Sequence, residues 1–223
     1  MTDGEARSTG SRLIVLVGPA GAGKTTLARR LQQHGQRIRT FSVSHTTRLR
    51  RARETHGVDY YFVTRPDFEV LRATGGFVES AEVHGNLYGT SLLEIERLRS
   101  QGHDVLFDID IQGAHNIWRQ FPDVTRLVFV LPPSWAVLVE RLTGRGTETE
   151  ETVRRRLKTA RTELQALIES PAPWHIVIND SLDHAAVALE RILEPVEPLP
   201  VAAGEHPAVR SFLRDALADP RTV

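Results

Sequence analysis

The sequence predicts a three-layer α/β fold, a central parallel sheet covered by helices on both faces, and three observations predict it. Short apolar runs alternate along the chain with segments of helical periodicity, the pattern of buried parallel strands joined by crossover helices. The first run, Leu13 to Val17, breaks into a glycine-rich turn that opens directly into a helix, on which Leu27, Ala28 and Leu31 form an apolar face. A later run, Asp104 to Asp110, ends in carboxylates, as expected of a strand that delivers acids to the carboxyl edge of an open sheet, where ligands bind.

The turn carries the strongest local signal. Gly18, Pro19, Ala20, Gly21, Ala22, Gly23, Lys24 and Thr25, with Thr26 following, fit G-x-x-x-x-G-K-[ST]. In such a turn successive backbone N–H groups point inward and cradle phosphate oxygens at a helix N-terminus. An ordinary glycine-rich strand-to-helix turn needs neither the lysine nor the hydroxyl after it, so the segment reads as a nucleoside triphosphate site in a P-loop fold.

Composition narrows what the chain does. Its 223 residues suit one α/β domain with small inserts, and 28 basic residues balance 28 acidic ones, which argues against nonspecific nucleic-acid binding. All the basic residues except Lys24 and Lys158 are arginines, so Lys24 stands out from its background. With no cysteine there is no disulfide, thiolate catalysis or cysteine-held zinc. No apolar stretch approaches the length of a membrane span, and the opening MTDGEARSTGSR lacks the apolar middle of a secretory signal; a cytoplasmic protein without membrane partners is expected.

The remaining elements follow in order. Residues 1–11, small and polar, read as a disordered lead. Residues 41–90 read as a strand-rich insert, with a short helix opened by a Thr64 and Asp67 capping box. Ser91 with Glu94 caps an amphipathic helix ending near Gly102. After the strand that ends at Asp110 come a helix from about Gly113 to Gln120, the strand RLVFVLP, and a helix opened by Ser134. A charged turn and a long helix follow from Gly144, with Thr147 and Glu150 as the expected capping box. WHIVIND is the last strand and Leu182 to Leu193 the last core helix. Residues 196–223 read as a linker and a weak, solvated helix after Ala208. His45, His56 and His84 have no metal-ligand spacing.

An arginine-rich segment between residues 141 and 156 suits a kinase that binds two polyanions tail to tail, because guanidinium forks grip phosphate oxygens in pairs. At this point five segments in order, SVSHTTR, HGVDYYFV, FVESAEVHGNLYGT, DIDIQGA and GRGTETEETVRRRL, resemble guanylate kinase over roughly residues 12–195. The resemblance implies a core at 12–40 and 91–195, an acceptor-binding insert at 41–90 and a helical lid at about 141–160. It implies phosphorylation of GMP, and of dGMP, by ATP with magnesium, in a monomer or homodimer. By resemblance Ser44, Glu79, Thr90 and Asp110 hold the guanine, while Arg48, Arg51, Tyr60 and Tyr88 grip the GMP phosphate. Lys24 follows the γ-phosphoryl group, Thr25 holds the magnesium ion and Asp108 orients waters around it. Arg141, Arg145 and Arg156 are the lid arginines, and Asn179 contacts ATP near the adenine.

The chain departs from the family pattern at Leu49 and Arg50, which follow the TTR arginine, at Ser80 after Glu79, and at Leu87 before Tyr88. These changes are expected to reshape the acceptor pocket. They keep open a kinase of the same fold acting on a modified purine nucleotide or a phosphorylated sugar. A noncatalytic interaction module is the third reading, opposed by the intact Gly23-Lys24-Thr25.

Overall fold

A computed structural model describes residues 10–33, 37–83, 85–144, 149–194, 200 and 202–222. The central sheet has five strands: β1 (Leu13–Val17), β2 (Arg39–Phe41), β7 (Asp104–Asp108), β8 (Thr125–Leu131) and β9 (Trp174–Ile178). They are ordered β2-β7-β1-β8-β9, and every pairing is parallel. Parallel strands need covering on both sides, and β1 supplies apolar side chains to both. Leu13, Val15 and Val17 enter one core, while Ile14 and Leu16 enter the other.

The second of these cores is closed by α1 (Lys24–Gln33) and α7 (Leu182–Ile192). Arg39 ties them to β2: its buried guanidinium bonds the Leu31 carbonyl at 3.1 Å and both Glu190 oxygens at 2.6 and 2.7 Å. The opposite core takes α3 (Leu92–Ser100), α4 (Ile111–Gln120), α5 (Trp135–Thr143) and α6 (Glu150–Ile168).

Between β2 and α3 lies a second sheet, β4-β3-β6-β5, formed by β3 (His45–Thr46), β4 (Tyr61–Phe62), β5 (Phe77–Val83) and β6 (Asn86–Ser91). Helix α2 (Arg65–Ala73) packs on it through Phe68, stacked on Phe77 with ring centroids 4.4 Å apart. The capping boxes fall as expected: Thr64 accepts from Asp67 N and Ser91 from Glu94 N. At the junction with the main sheet, buried Glu94 accepts both Nε and Nη2 of Arg97 at 2.9 Å and the Tyr61 hydroxyl at 3.1 Å.

Three expectations need correction. The expected lead of residues 1–11 does not extend to Ser11, which is fully buried with its hydroxyl donating to the His103 carbonyl; residues 1–9 lie outside the described residues. Helix α6 is capped by Thr149, whose hydroxyl accepts from Thr152 N, while Thr147 lies outside the described residues. The tail is not a solvated appendage. Helix α8 (Pro207–Ala218) buries Val209, Phe212 and Ala216 in the core that contains α5 and α6. Beyond it, Asp219 accepts from Trp135 Nε1 at 2.8 Å and from Arg221 Nε and Nη2 at 2.8 and 2.6 Å. Among the described residues no helix is long and apolar enough to cross a membrane.

Candidate active site

The glycine-rich turn joins β1 to α1 at the carboxyl edge of the main sheet, and its geometry leaves no room for side chains at two points. A Cβ on Gly18, where φ is +138°, would lie 2.3 Å from the Val130 carbonyl oxygen; one on Gly23, at φ +89°, would lie 2.3 Å from Asn179 Nδ2. Asn179 is the peg that fixes the turn. Its side-chain amide donates to the Ala22 carbonyl at 2.7 Å, its own N–H reaches Leu131 O at 2.7 Å, and its carbonyl accepts from Arg141 Nη2 at 3.1 Å. Arg141, at the end of α5, thus packs directly on the turn. A cavity of about 580 Å³ beside them is lined by Gly21, Gly23, Thr26, Glu140, Arg141, Gly144, Asn179, Asp180 and Leu182.

Lys24 Nζ lies 2.5 Å from the Gly18 carbonyl, closing across the turn, and 3.8 Å from an Asp108 oxygen. The Thr25 hydroxyl donates to Asp108 Oδ2 at 3.0 Å. A hydroxyl and a carboxylate side by side at the phosphate cradle are hard oxygen ligands and fit Mg²⁺. Among the described residues no set of three or more acidic or histidine side chains is placed to hold a metal. An ion here would therefore take its remaining ligands from phosphate and water, the usual habit of Mg²⁺.

Thr25 and Asp108 also open onto a second cavity, about 440 Å³, which they share with Thr90 of β6 and with Ser44 and Tyr60, the residues just before β3 and β4. Behind Thr90, whose hydroxyl donates to Glu79 Oε1 at 2.6 Å, the Glu79 carboxyl is pushed above its ordinary pKa. Burial is the main cause and the Asp110 charge adds to it, against the Thr90 bond. Asp110 is exposed and plays a part the sequence did not announce: it is the N-cap of α4, with Oδ1 accepting from Gly113 N at 2.8 Å. One of its oxygens is left for a ligand. Tyr60 and Tyr88 stand edge to face, 6.0 Å between centroids, with the Arg48 guanidinium 5.4 Å from the Tyr60 ring. Arg51 is exposed in the same loop, Arg156 is half-buried on α6, and Arg145 lies outside the described residues.

A family model described as guanylate kinase matches residues 10–196. The chain belongs to the guanylate kinase family. It is 44% identical over 184 residues to a guanylate kinase of Corynebacterium glutamicum, covering 82% of this chain and 94% of that one. It is 45% identical over 183 residues to one from Sus scrofa, covering 82% and 91%. Among solved structures, the crystal structure of guanylate kinase from Anaplasma phagocytophilum superposes with a TM-score of 0.60 at 28% identity, over 96% of each chain.

Of the departures from the family pattern, Leu49 and Arg50 sit in the loop that carries Arg48, where the Leu49 carbonyl accepts from Arg48 Nη1 at 2.9 Å and Arg50 Nη1 donates to the Glu54 carbonyl at 2.7 Å. Leu87 is buried inside the smaller sheet, Ser80 is exposed, and Leu49 is 89% exposed; none of them lines either cavity. The Leu87 side chain fills core space beneath the smaller sheet, and its backbone exchanges hydrogen bonds with Thr47.

Three polar residues of the site escaped the sequence reading. Arg29, one helical turn beyond Thr25, lines the second cavity. Its four-residue spacing from Thr25 was the available signal. Glu163 on α6 has a buried carboxylate oxygen with no hydrogen-bond partner among the described residues. Burial pushes its pKa up, Lys24 opposes the shift, and Asp110 and Asp108 reinforce it. Glu54 accepts Arg48 through both oxygens.

Proposed function

We propose that this chain transfers the γ-phosphoryl group of ATP directly to the phosphate of GMP, giving ADP and GDP, and does the same for dGMP. One observation carries the reading: Thr25 and Asp108, at the phosphate cradle, line the same cavity as Ser44, Tyr60 and Thr90 of the insert. Two phosphates can therefore meet end to end at Asp108.

In this reading the turn from Gly18 to Thr26 holds the ATP phosphates by backbone N–H groups at the α1 N-terminus, and the base lies toward Asn179. Lys24 exchanges the Gly18 carbonyl for a phosphoryl oxygen and follows the transferring group. Thr25 would hold a bound Mg²⁺ and Asp108 would orient its waters, and the ion would supply charge neutralisation during the transfer. On the acceptor side, Glu79 and the free oxygen of Asp110 accept from the guanine ring N–H and exocyclic amine, with Ser44 and Thr90 beside them. Adenine presents an acceptor where guanine presents that N–H, leaving a carboxylate of the pocket without its donor, which is how a polar site rejects a near-isostere.

Arg48, Arg51, Tyr60 and Tyr88 grip the GMP phosphate. Arg141, Arg145 and Arg156 stabilise the charge that spreads over the transferring oxygens. Transfer is in line and needs no covalent enzyme intermediate, so positioning and charge supply the rate. A coupled assay of ADP release tests the reading. GMP and dGMP are expected to stimulate release far more than AMP, CMP or UMP, and equal stimulation by AMP would refute the acceptor.

A further inference from the structure

The loop between β3 and β4 carries four arginines, Arg48, Arg50, Arg51 and Arg53, yet it is organised around its one glutamate. Glu54 accepts Arg48 Nη2 at 2.7 Å through Oε1 and Nη1 at 3.0 Å through Oε2. The Oε2 atom also takes the Arg51 backbone N–H at 2.8 Å. The Glu54 carbonyl accepts Arg50 Nη1 at 2.7 Å, and its N–H returns to Arg51 O at 3.1 Å. Both side chains of the central pair are only 16% exposed. These bonds hold the Glu54 carboxyl down at about 2, chiefly through Arg48 and next through Arg51 N–H, so it is ionised at any working pH.

Counting donors shows what this arrangement leaves. A guanidinium has five N–H groups. Arg48 gives two to Glu54 and one, from Nη1, to the Leu49 carbonyl at 2.9 Å. The end of the fork is thus closed by protein. The Nε–H and the second Nη2–H lie outside the Glu54 clamp, parallel on the side edge, the geometry that grips two oxygens of one phosphate; Tyr88, itself a proposed phosphate contact, is a further hydrogen-bond partner of this guanidinium. The rings of Tyr60 and Phe62, 5.4 and 5.7 Å from the guanidinium carbon, flank the same group.

We infer that Glu54 is a positioning residue for the acceptor phosphate. It clamps the end of the Arg48 guanidinium, and with it the Arg51 backbone, so that Arg48 presents only its side edge to the incoming GMP. This rests on the reading that Arg48 binds that phosphate. Glu54 touches no substrate itself, and its effect passes through Arg48. A carboxylate that merely filled the phosphate position in the empty protein would act in the opposite sense, because GMP would have to displace it.

Steady-state kinetics on the full chain separate these cases, with Glu54→Gln and Arg48→Ala made singly and together. Glu54→Gln keeps the shape and removes the charge. Its KM for GMP should rise about 10- to 100-fold, the loss that accompanies charge-assisted hydrogen bonds. Its KM for ATP should stay unchanged, as should the inhibition constant of guanosine, which has the base and no phosphate. The double variant should be no worse than Arg48→Ala alone. An unchanged or lowered KM for GMP in Glu54→Gln, with Arg48→Ala impaired, overturns the positioning role. Parallel weakening of guanosine and GMP also overturns it, since that reports a collapsed insert. If Arg48→Ala leaves the KM for GMP unchanged, the phosphate reading beneath the inference is what fails.

Discussion

The two halves of the cleft solve phosphate binding by different means. The donor half is made of backbone: a turn in which Gly18 and Gly23 have no room for a methyl group, pegged by Asn179 and leaned on by Arg141. The acceptor half is made of side chains drawn from a small sheet and its loops: Thr90 holds Glu79 by one hydrogen bond, Tyr60 and Tyr88 meet edge to face, and Arg48 lies over Tyr60 in the grip of Glu54. Backbone cradles are preorganised and tolerate nothing; side-chain pockets are adjustable and fail by degrees. The first half should therefore respond to substitution as a switch, and the second as a dial.

The largest effect is expected where the fit is tightest. Gly23→Ala would place a carbon 2.3 Å from Asn179 Nδ2, an atom already committed to the Ala22 carbonyl at 2.7 Å and unable to move without releasing the turn. Turnover should fall by about a thousandfold, the upper end of what losing one preorganised electrostatic element costs. Calorimetry should find no ATP binding. Retention of near-normal ATP affinity would break the comparison at its stronger end.

A weaker, two-sided effect is expected at Glu79. Its pKa is raised in the folded protein by burial and by Asp110, so the ionised form that guanine requires is held at a cost to stability. For a raised pKa, the group's favourable contribution is complete below its unfolded value near 4.5 and is lost as pH rises through the folded value. Glu79→Gln should therefore lower GMP turnover by about 10- to 100-fold, as for a lost hydrogen bond to a charged group. It should also raise the melting temperature at neutral pH, a site bought at the expense of the fold. The gain should vanish toward pH 4. A variant that melts lower than the parent at pH 7 would show that this carboxylate is structural.

The same contrast explains what could be read from the chain. The cradle is contiguous from Gly18 to Thr26, and the caps at Thr64, Ser91 and Ser134 depend on residues three apart, so local order was enough. Where two hydroxyls competed, at Thr147 and Thr149, local order favoured Thr147, because Glu150 stands three residues after it, whereas Thr149 has Thr152 at that interval and caps α6 through the Thr152 backbone N–H. The acceptor contacts are scattered from Ser44 to Asp110 and were legible only through resemblance to a family. Glu54 and Glu163 were not legible at all: a carboxylate among arginines or on a long charged helix looks solvated until the partners are placed. Asp110 looked like the end of a strand, and its capping bond to Gly113 N emerges only because β7 stops at Asp108. The tail misled for a related reason. Val209, Phe212 and Ala216 are spaced for one helical face, but their partner Trp135 lies far back in the sequence.

That tail gives the smallest expected effect on activity and a control for both halves of the cleft. Asp219 accepts the indole N–H of buried Trp135 and is bridged by Arg221, which with the indole holds its carboxyl at about 2. Asp219→Ala leaves that indole without its partner and should destabilise the fold by about 1 to 3 kcal/mol. KM values for GMP and ATP should not change, because the bond lies outside both cavities. The sign of the pH dependence follows from a depressed pKa: the contribution is complete above the unfolded value of 3.8 and is lost as pH falls through about 2. Unfolding midpoints of parent and variant should then run parallel from pH 8 to 5 and draw together below 4. A gap that persists to pH 2 would assign the loss to packing. A shift in either KM would mean that the tail, through α5 and its Arg141, reaches the phosphate turn, and the donor half would no longer be rigid independently of what is docked behind it.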